Sequence, residues 1–440
     1  MAAPIGTQSR QPPSPPASSR TALPRSYLYW LAGTRASLTG DAALSFALGW
    51  AASAHGGRTA ALVLTAITLP RTVLLLLGGA VGDRFGARRV MIAGDVVMLA
   101  AVLALAVAAC AWGAPPGMLL GFAVVVGTVD AFYLPATGSM PSRLVGPAQL
   151  PRAMALRQAG GQLAALLGAP LGAVLVAVAG LSGTALVDAA SFGAVLAVMA
   201  RLRPAAEGER PPGNESLLAG IADGVRCAAT DPVLRSALLL TAAAAAGLLP
   251  AVSLLGPLLA RGHGWGPATA GLVAAGQGAG MLLAALAAAR LGIMRRIGVG
   301  ASLGLVLAAA GLAGLAAAPA PAVAVAAAGA VGAGSGVFAC HLAPLVLAGT
   351  PRAHLSRVQS LLALVQSLAL VVANNVLGWL ASMSGVGCAL ACCAVLAGAA
   401  GAAGWSSAPL RGVRRDAAQA GSAEIRRQSG GRGSGGTGGP

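Results

Sequence analysis

The chain has 440 residues, of which 57% are hydrophobic and 9% are charged, and its formal net charge is +17. A soluble globular protein carries about 25% charged residues, and a core in water cannot bury so much apolar surface. The basic residues are all Arg and are scattered between apolar stretches, which argues against a nucleic-acid-binding face. The composition therefore predicts an all-α membrane protein.

The chain begins with residues 1–26, which are polar and rich in Pro and Ser and lack the apolar core of a signal peptide. We expect a disordered cytoplasmic arm there. The apolar stretches that follow are about 20 residues long, enough for a helix to cross the hydrocarbon of a bilayer. We predict twelve membrane spans, at residues 27–50, 59–81, 90–111, 117–137, 155–178, 184–201, 235–258, 266–290, 297–317, 321–348, 357–381 and 386–406.

Two polar segments interrupt or follow the predicted spans, one between the sixth and seventh spans and one after the last. Residues 203–234 contain several prolines and charges and predict a cytoplasmic linker with a short amphipathic helix. The linker separates a six-helix half at 27–202 from a second six-helix half at 235–406. Residues 407–440 are basic and rich in Gly, which predicts a disordered cytoplasmic tail.

The distribution of Arg predicts the orientation. If every predicted span crosses the membrane, 25 of the 29 Arg residues lie on the side of the N-terminus and two lie on the other side. Positive charge is concentrated in cytoplasmic loops, so we expect both termini in the cytoplasm of a multi-pass protein of the cell membrane. The six cysteines lack the spacing of zinc ligands, and we expect no metal site.

The loop after the second span reads Gly-Ala-Val-Gly-Asp-Arg-Phe-Gly-Ala-Arg-Arg from residue 79 to residue 89. It resembles the signature loop between the second and third helices of the Major Facilitator Superfamily. The resemblance implies the fold of that family, in which two six-helix halves are related by an axis along the membrane normal. Charged groups at helix ends can bond neighbouring termini in one transport state and release them in the other. We therefore expect a latch formed by Gly79, Asp83, Arg84, Gly86, Arg88 and Arg89.

Further stretches resemble the branch of that family that holds enterobactin and macrolide exporters, over residues 27–406. These stretches are 33–41, 133–145, 187–192, 221–226 and 231–235. There are two departures. Many relatives have an acid where this chain has Ser142, and the exporter pattern of Gly-Pro and paired Gly is altered around Pro170.

Four charged residues are predicted inside the spans, where an ionisable group is costly and is by default functional. Helix rise places Asp41 about 21 Å, Arg71 about 15 Å, and Arg35 and Asp130 about 12 Å from the cytoplasmic ends. The depths allow the pairs Asp41 with Arg71 and Arg35 with Asp130. Such pairs could couple protons or merely fix helices, and we expect Asp41 to carry the proton. Asp95 and Asp188, nearer span ends, are expected to reach water.

Uncharged polar residues also fall inside the spans. Each can make an interhelical hydrogen bond or contact a ligand, and a hydrogen bond is the commoner use. The single histidine predicted within a span is also a conceivable proton site. The candidates are Gln158, Gln162, Gln277, His341, Gln366, Asn374 and Asn375.

The sequence contains no nucleotide-binding loop and no nucleophile elbow, so we expect no cofactor and no enzymatic activity. Transport would then depend on an ion gradient. The resemblance implies proton-coupled efflux of a small apolar or amphipathic compound by a monomer, whose partners are that compound, protons and membrane lipid. The alternatives are an uptake symporter and a transport-dead membrane sensor or assembly partner.

Overall fold

The computed structural model describes residues 22–146, 148–201, 226, 231–349 and 355–412. Most of the predicted N-terminal arm, linker and C-terminal tail lie outside these ranges. The helices within them are α1 (Arg25–Ser53), α2 (Gly57–Phe85), α3 (Ala87–Trp112), α4 (Pro116–Leu144), α5 (Leu150–Arg201), α6 (Pro232–Ser253), α7 (Leu255–Gly262), α8 (Pro267–Leu291), α9 (Ile297–Ala316), α10 (Pro321–Gly349), α11 (Leu355–Ser384), α12 (Val386–Ser406) and α13 (Ala408–Gly412).

The helices supply the predicted membrane spans. Ten of them are long and apolar enough to cross a bilayer. One of the ten, α5, has 52 residues and contains two spans, because Gly180 leaves the helical conformation with φ of 67°. We call residues 150–179 the first arm of α5 and residues 181–201 its second arm. With α1, which has 29 residues, the count reaches twelve, and the prediction of an all-α membrane protein of this fold class is confirmed.

Several spans differ in detail from the predicted ones. Helix α4 continues to Leu144 and α5 starts at Leu150, so both run beyond the apolar stretches that marked them. The predicted span 235–258 is broken at Leu254 into α6 and α7. Pro257 has no N–H to donate to the carbonyl of Ser253, which explains why the helix does not continue unbroken.

Proline and glycine set many of the helix limits. Pro116, Pro232 and Pro267 each occupy the first turn of their helix, where the missing N–H costs no hydrogen bond. Asp231 caps α6, since its side chain accepts from the backbone N–H of Val233 at 2.7 Å and of Leu234 at 3.1 Å. Gly86 has φ of 85° between α2 and α3, a conformation that side chains disfavour.

Small residues let the helices approach closely. The first arm of α5 packs on α1 where Gly168 and Gly172 meet Ala42 and Ala43, and any added side chain would collide. Similar glycine contacts join α9 to α10 and α8 to α10. Between membrane helices, where lipid is as apolar as leucine, this packing is a main source of association. It explains why Gly is so frequent among the 440 residues, with 63 copies.

The two halves, α1–α5 and α6–α12, meet along two helix pairs, α2 with α11 and α5 with α8. At the first interface Gly378 packs on Gly57, the backbone N–H of Arg58 donates to Ser382 Oγ at 3.2 Å, and Asn375 Nδ2 donates to Thr65 Oγ1 at 2.8 Å. At the second interface Gly271 packs on Ala173 and Gly278 on Leu166.

These positions share one end of the bundle. Most of them fall in the first part of α2 and α8 and in the last part of α11 and of the first arm of α5, and Gly278 and Leu166 lie near the middle of their helices. We call this end, which carries the α1–α2 loop, the α1–α2 end, and the opposite one the α2–α3 end. Among the described residues, the hydrogen bonds and close glycine contacts between halves lie toward the α1–α2 end. The molecule is therefore closed at the α1–α2 end.

Candidate functional site

A second set of contacts closes the α1–α2 end, and Arg261 on α7 makes them. Its Nε donates to Ser53 Oγ at 2.7 Å and its Nη2 donates to the carbonyl oxygen of Trp50 at 2.8 Å. Its guanidinium carbon lies 4.1 Å from the centre of the Trp50 ring, within the range of a cation–π interaction. Arg261 thus joins the last turn of α1 to the second half.

The signature loop lies at the α2–α3 end. Arg88 Nη2 donates to the carbonyl oxygen of Met199 at 2.8 Å, in the last turn of the second arm of α5. A cation at a helix C-terminus complements the helix dipole. Arg84 lies 5.5 Å from the centre of the Phe85 ring, and both Arg84 and Arg89 are exposed. The side chain of Asp83 lies outside what the structure describes.

Gly79 and Gly86 complete the predicted latch. Gly86 connects α2 to α3 with its positive φ, and its N–H donates to the carbonyl oxygen of Gly82 at 3.1 Å. A Cβ atom at Gly79 would meet nothing within 4 Å, so packing does not require a glycine there.

Two of the intramembrane charges form an ion pair. Arg71 Nη1 lies 3.9 Å from Asp130 Oδ2, and both side chains are about one third exposed, at 34% and 35%. This pair differs from Asp41–Arg71 and Arg35–Asp130, the two pairs that the depths allowed. The reason is the close packing of α2 on α4, where Gly127 meets Ile67 and Gly78 meets Ala131. This packing sets Arg71 opposite Asp130.

Asp41 lies near another acid. Asp188, on the second arm of α5, packs against Gly40, the residue before Asp41. Among the acidic groups, Asp188 has the largest electrostatic effect on Asp41. Its Oδ1 accepts from Ser191 Oγ at 3.1 Å, whereas its buried Oδ2 has no partner among the described residues. Asp41 itself is partly exposed.

Two acids expected to reach water are buried, so that expectation is wrong. Asp188 is 1% exposed and Asp95 is 0% exposed. The polar side chain beside the Asp95 carboxylate is that of Tyr133. Distance from a span end did not predict exposure, because the face of the helix decides which side chains pack inside.

Arg35 lies in a slot on the first arm of α5. Its Nη1 donates to the carbonyl oxygen of Arg157 at 3.4 Å, and its side chain runs over Gly160 and Gly161. A Cβ atom at Gly160 would come within 2.8 Å of the Arg35 Cδ. The paired glycines therefore make room for Arg35. Arg157 is close enough to act electrostatically on Arg35.

His341 makes two hydrogen bonds. Its Nδ1 lies 2.7 Å from the carbonyl oxygen of Val337 and its Nε2 accepts from the N–H of Met294 at 3.0 Å. A carbonyl can only accept, so Nδ1 carries the proton and the ring is neutral. His341 is 4% exposed and holds the α8–α9 loop against α10. This arrangement favours a structural role over a proton site.

The other polar candidates have different surroundings. Gln158 and Gln162 are exposed one helical turn apart on α5, and Gln366 is exposed on α11. Asn375 bridges the halves through Thr65. The remaining two are Gln277, which is partly buried, and Asn374, whose buried Oδ1 has no partner among the described residues.

Sequence reasoning gave no role to three residues that the structure places at these sites. Arg157 and Arg261 entered only the count of Arg residues on the two sides of the membrane, and Asp188 was expected to reach water. The sequence signal for the Arg35 site was the Gly160–Gly161 pair, which leaves space for a large side chain next to α5. Within the described ranges, no cluster of three His, Cys, Asp or Glu residues could hold a metal ion.

Two helical halves that meet at one end and carry charges within their spans define a polytopic membrane transporter. Residues 31–374 match the model of the Major Facilitator Superfamily. The chain belongs to this family.

One curated relative is the multidrug efflux pump Tap of Mycolicibacterium fortuitum, 30% identical over 218 residues, which are 47% of this chain and 53% of the relative. The Tap pump of Mycobacterium tuberculosis H37Rv is 29% identical over 236 residues, 52% of this chain and 56% of the relative. The chain thus spans about half the length of the curated relatives it matches.

Among solved structures, a mutant form of the nucleoside transporter NupG superposes with a TM-score of 0.71 at 11% identity. The match covers 86% of this chain and 99% of that chain. At this identity the likeness shows the fold alone.

Proposed function

We propose that the protein is a secondary exporter that moves a small apolar or amphipathic compound out of the cell in exchange for protons. The observation that carries the proposal is the asymmetric closure of the two halves, with hydrogen bonds and glycine contacts toward the α1–α2 end and charged residues within the spans. Such a molecule can open alternately to the two sides of the membrane. The names of the relatives, multidrug efflux pumps, support the outward direction.

The Arg distribution supports the orientation that we propose. With 25 Arg residues on the side of the α2–α3 end and two on the other side, both termini and the signature loop lie in the cytoplasm of the cell membrane. The closed α1–α2 end then faces outward, and the described conformation is inward-facing. We also propose that the protein belongs with the enterobactin and macrolide exporters and that it is a monomer.

Proton coupling is assigned to the acids of the first half. Asp41 is partly exposed beside Asp188, so it can exchange a proton with solvent in one state and be enclosed in the other. A carboxylate whose protonation differs between inward-open and outward-open states carries a proton across. The latch around Arg88 and Met199 would bias the equilibrium between those states.

The test is an accumulation assay in cells that express the protein, with a panel of compounds and with or without a proton uncoupler. Expression should lower the steady-state accumulation of at least one compound, and the uncoupler should abolish that difference. Higher accumulation on expression would support the uptake symporter instead. No difference across the panel, with the protein present in the membrane, would support a transport-dead sensor or assembly partner.

A further inference from the structure

Two arginines in the first half, Arg35 and Arg157, lie close together, and no acid among the described residues pairs with either of them. Arg35 donates to the backbone of Arg157, and the charges of the two side chains act on each other. The Nε atoms of both are buried and make no hydrogen bond to any described residue. Within the described ranges the ion pair that forms is Arg71–Asp130, on other helices.

The neighbouring polar groups do not compensate these charges. Tyr27, one of the polar side chains around Arg35, already donates its hydroxyl to the carbonyl oxygen of Ala153 at 2.5 Å. Partly buried charges that are neither paired nor fully hydrogen-bonded are costly, and a like charge nearby adds repulsion. Guanidinium donors arranged as a fork match a carboxylate, sulfate or phosphate, which would satisfy both residues.

The pair lies in the part of α1 and α5 that is nearer to the α2–α3 end. Arg157 is seven residues into α5 and Arg35 is ten residues into α1, so they lie about 10 and 15 Å from the helix ends. The halves are joined toward the opposite end. The side chains of Gln158 and Gln162 are exposed on the adjacent stripe of α5 and provide further hydrogen-bonding groups.

We propose that Arg35 and Arg157 bind the oxyanion group, a carboxylate, sulfate or phosphate, of an amphipathic compound that the protein carries. The inference rests on the proposed export function and makes its substrate class more specific. The apolar part of such a compound would lie deeper among the Ala, Leu and Gly surfaces of the helices.

The test uses the full chain in nanodiscs of phosphatidylcholine and needs no proton gradient. The probes are 2-naphthoate and its neutral match 2-naphthamide, with inorganic sulfate as a competitor, and the dissociation constant is measured by titration. We expect naphthoate to bind at least about tenfold more tightly than the amide, as the loss of one charge-assisted hydrogen bond implies. Sulfate should displace the naphthoate.

Substitution of either arginine should remove the preference for naphthoate over naphthamide. R157Q and R35Q are each expected to weaken naphthoate binding about tenfold or more. The affinity of R157K, which keeps the charge but loses the planar guanidinium, should lie between those of R157Q and the unaltered protein. The matched control is R152Q, because Arg152 is an exposed arginine on the same helix. This variant should bind naphthoate like the unaltered protein. Since R157Q relieves repulsion, its thermal unfolding temperature should not fall below that of R152Q.

Three results would overturn the inference. The first is equal affinity for naphthoate and naphthamide. The second is an equal loss of naphthoate affinity in R157Q and R152Q. The third is binding of phosphatidylglycerol at the site, in nanodiscs that contain this lipid, with no binding of naphthoate. The last would assign the site to a lipid headgroup. Absence of proton-driven export in cells, with naphthoate binding intact, would contradict the proposed function and leave this site standing.

Discussion

At the scale of single residues, the acids of the first half bear most directly on coupling. Asp41, Asp95 and Asp188 lie within membrane helices, and the described contacts give none of them a basic partner. An ionised carboxylate at membrane depth is costly unless it is paired, so these acids are the groups to which the proposed proton coupling assigns the proton. Asp41 alone among the three is partly exposed, and we therefore propose that the proton enters there.

We expect Asp41→Asn to abolish uphill, proton-driven export, because the amide keeps the size and hydrogen bonding of the acid but does not titrate. Downhill exchange of the compound across vesicles should persist, since it requires no proton. Both are measured in vesicles with an imposed pH gradient. The matched control is Asp41→Glu, which restores a titratable group and should recover part of the uphill transport. An Asp41→Asn protein that still concentrates substrate against its gradient would transfer the role to another acid.

We expect His341→Leu to lower the thermal unfolding temperature without removing proton coupling. The substitution removes the hydrogen bonds of the ring to the N–H of Met294 and to the carbonyl oxygen of Val337, and each contributes about 0.5–1.5 kcal/mol. Unfolding is followed in detergent and coupling in vesicles at equal amounts of folded protein. A variant of unchanged stability that has lost only uphill transport would make His341 a proton site after all.

The residue scale also shows what the sequence could predict of the site. The rise of a helix gives the depth of a charge along its span, and Asp41, Arg71, Arg35 and Asp130 lie within helices. Pairing depends on the direction in which each side chain points, and that follows from the contact of α2 with α4 at Gly127 and Gly78. Such contacts join residues more than 50 positions apart, so no local pattern could reveal that Arg71 faces Asp130.

At the scale of helices, apolar length predicted the spans well, because about 20 apolar residues are needed to cross a bilayer whatever the neighbours are. The interruptions were harder to predict. The turn between the fifth and sixth spans is reduced to Gly180, and the seventh span breaks at Leu254. The first depends on the positive φ of Gly180 and the second on the missing N–H of Pro257, and the hydropathy of a stretch records neither.

The contact between α2 and α11 offers a prediction at this scale. A side chain at Gly378 would collide with Ala61 and with the backbone of Gly57, so Gly378→Leu should prevent these helices from meeting. We expect the α1–α2 end to open, measured as a longer distance between spin labels at Ala54 and Met383 in a background without native cysteines. Gly121→Leu is the matched control, since nothing lies within 4 Å of its Cβ position. Equal distances in the two variants would show that this contact does not hold the closed state.

For the whole molecule, the orientation follows from the 25 Arg residues assigned to one side. We expect a reporter that matures only in the cytoplasm to give signal when it is fused after Pro440. The same reporter fused after Ser384, in the loop between α11 and α12, should give none. A stably expressed C-terminal fusion without signal would reverse the topology and place the closed end in the cytoplasm.

The closed state of the whole molecule also depends on Arg261, through which α7 holds the end of α1. Arg261→Gln removes hydrogen bonds of 2.7 and 2.8 Å and the contact with the Trp50 ring, while the glycine contacts between the halves remain. Charge-assisted hydrogen bonds contribute about 1.5–3 kcal/mol each, so the open population should rise about tenfold or more. Arg261→Lys should give a smaller rise, because it keeps the charge without the fork.

The distance between spin labels at Ala54 and Met383 reports this population as a second, longer component. Arg58→Gln is the control, since Arg58 lies at the same end but contacts Ser382 through its backbone N–H, which the substitution leaves in place. The substitution changes the balance between two states and leaves the groups that bind substrate unaltered. Arg261→Gln should therefore alter the rate of export more than the affinity for the compound. Identical distance distributions in Arg261→Gln and Arg58→Gln would show that α1 and α7 separate freely, and closure would then depend on the helix pairs α2–α11 and α5–α8 alone.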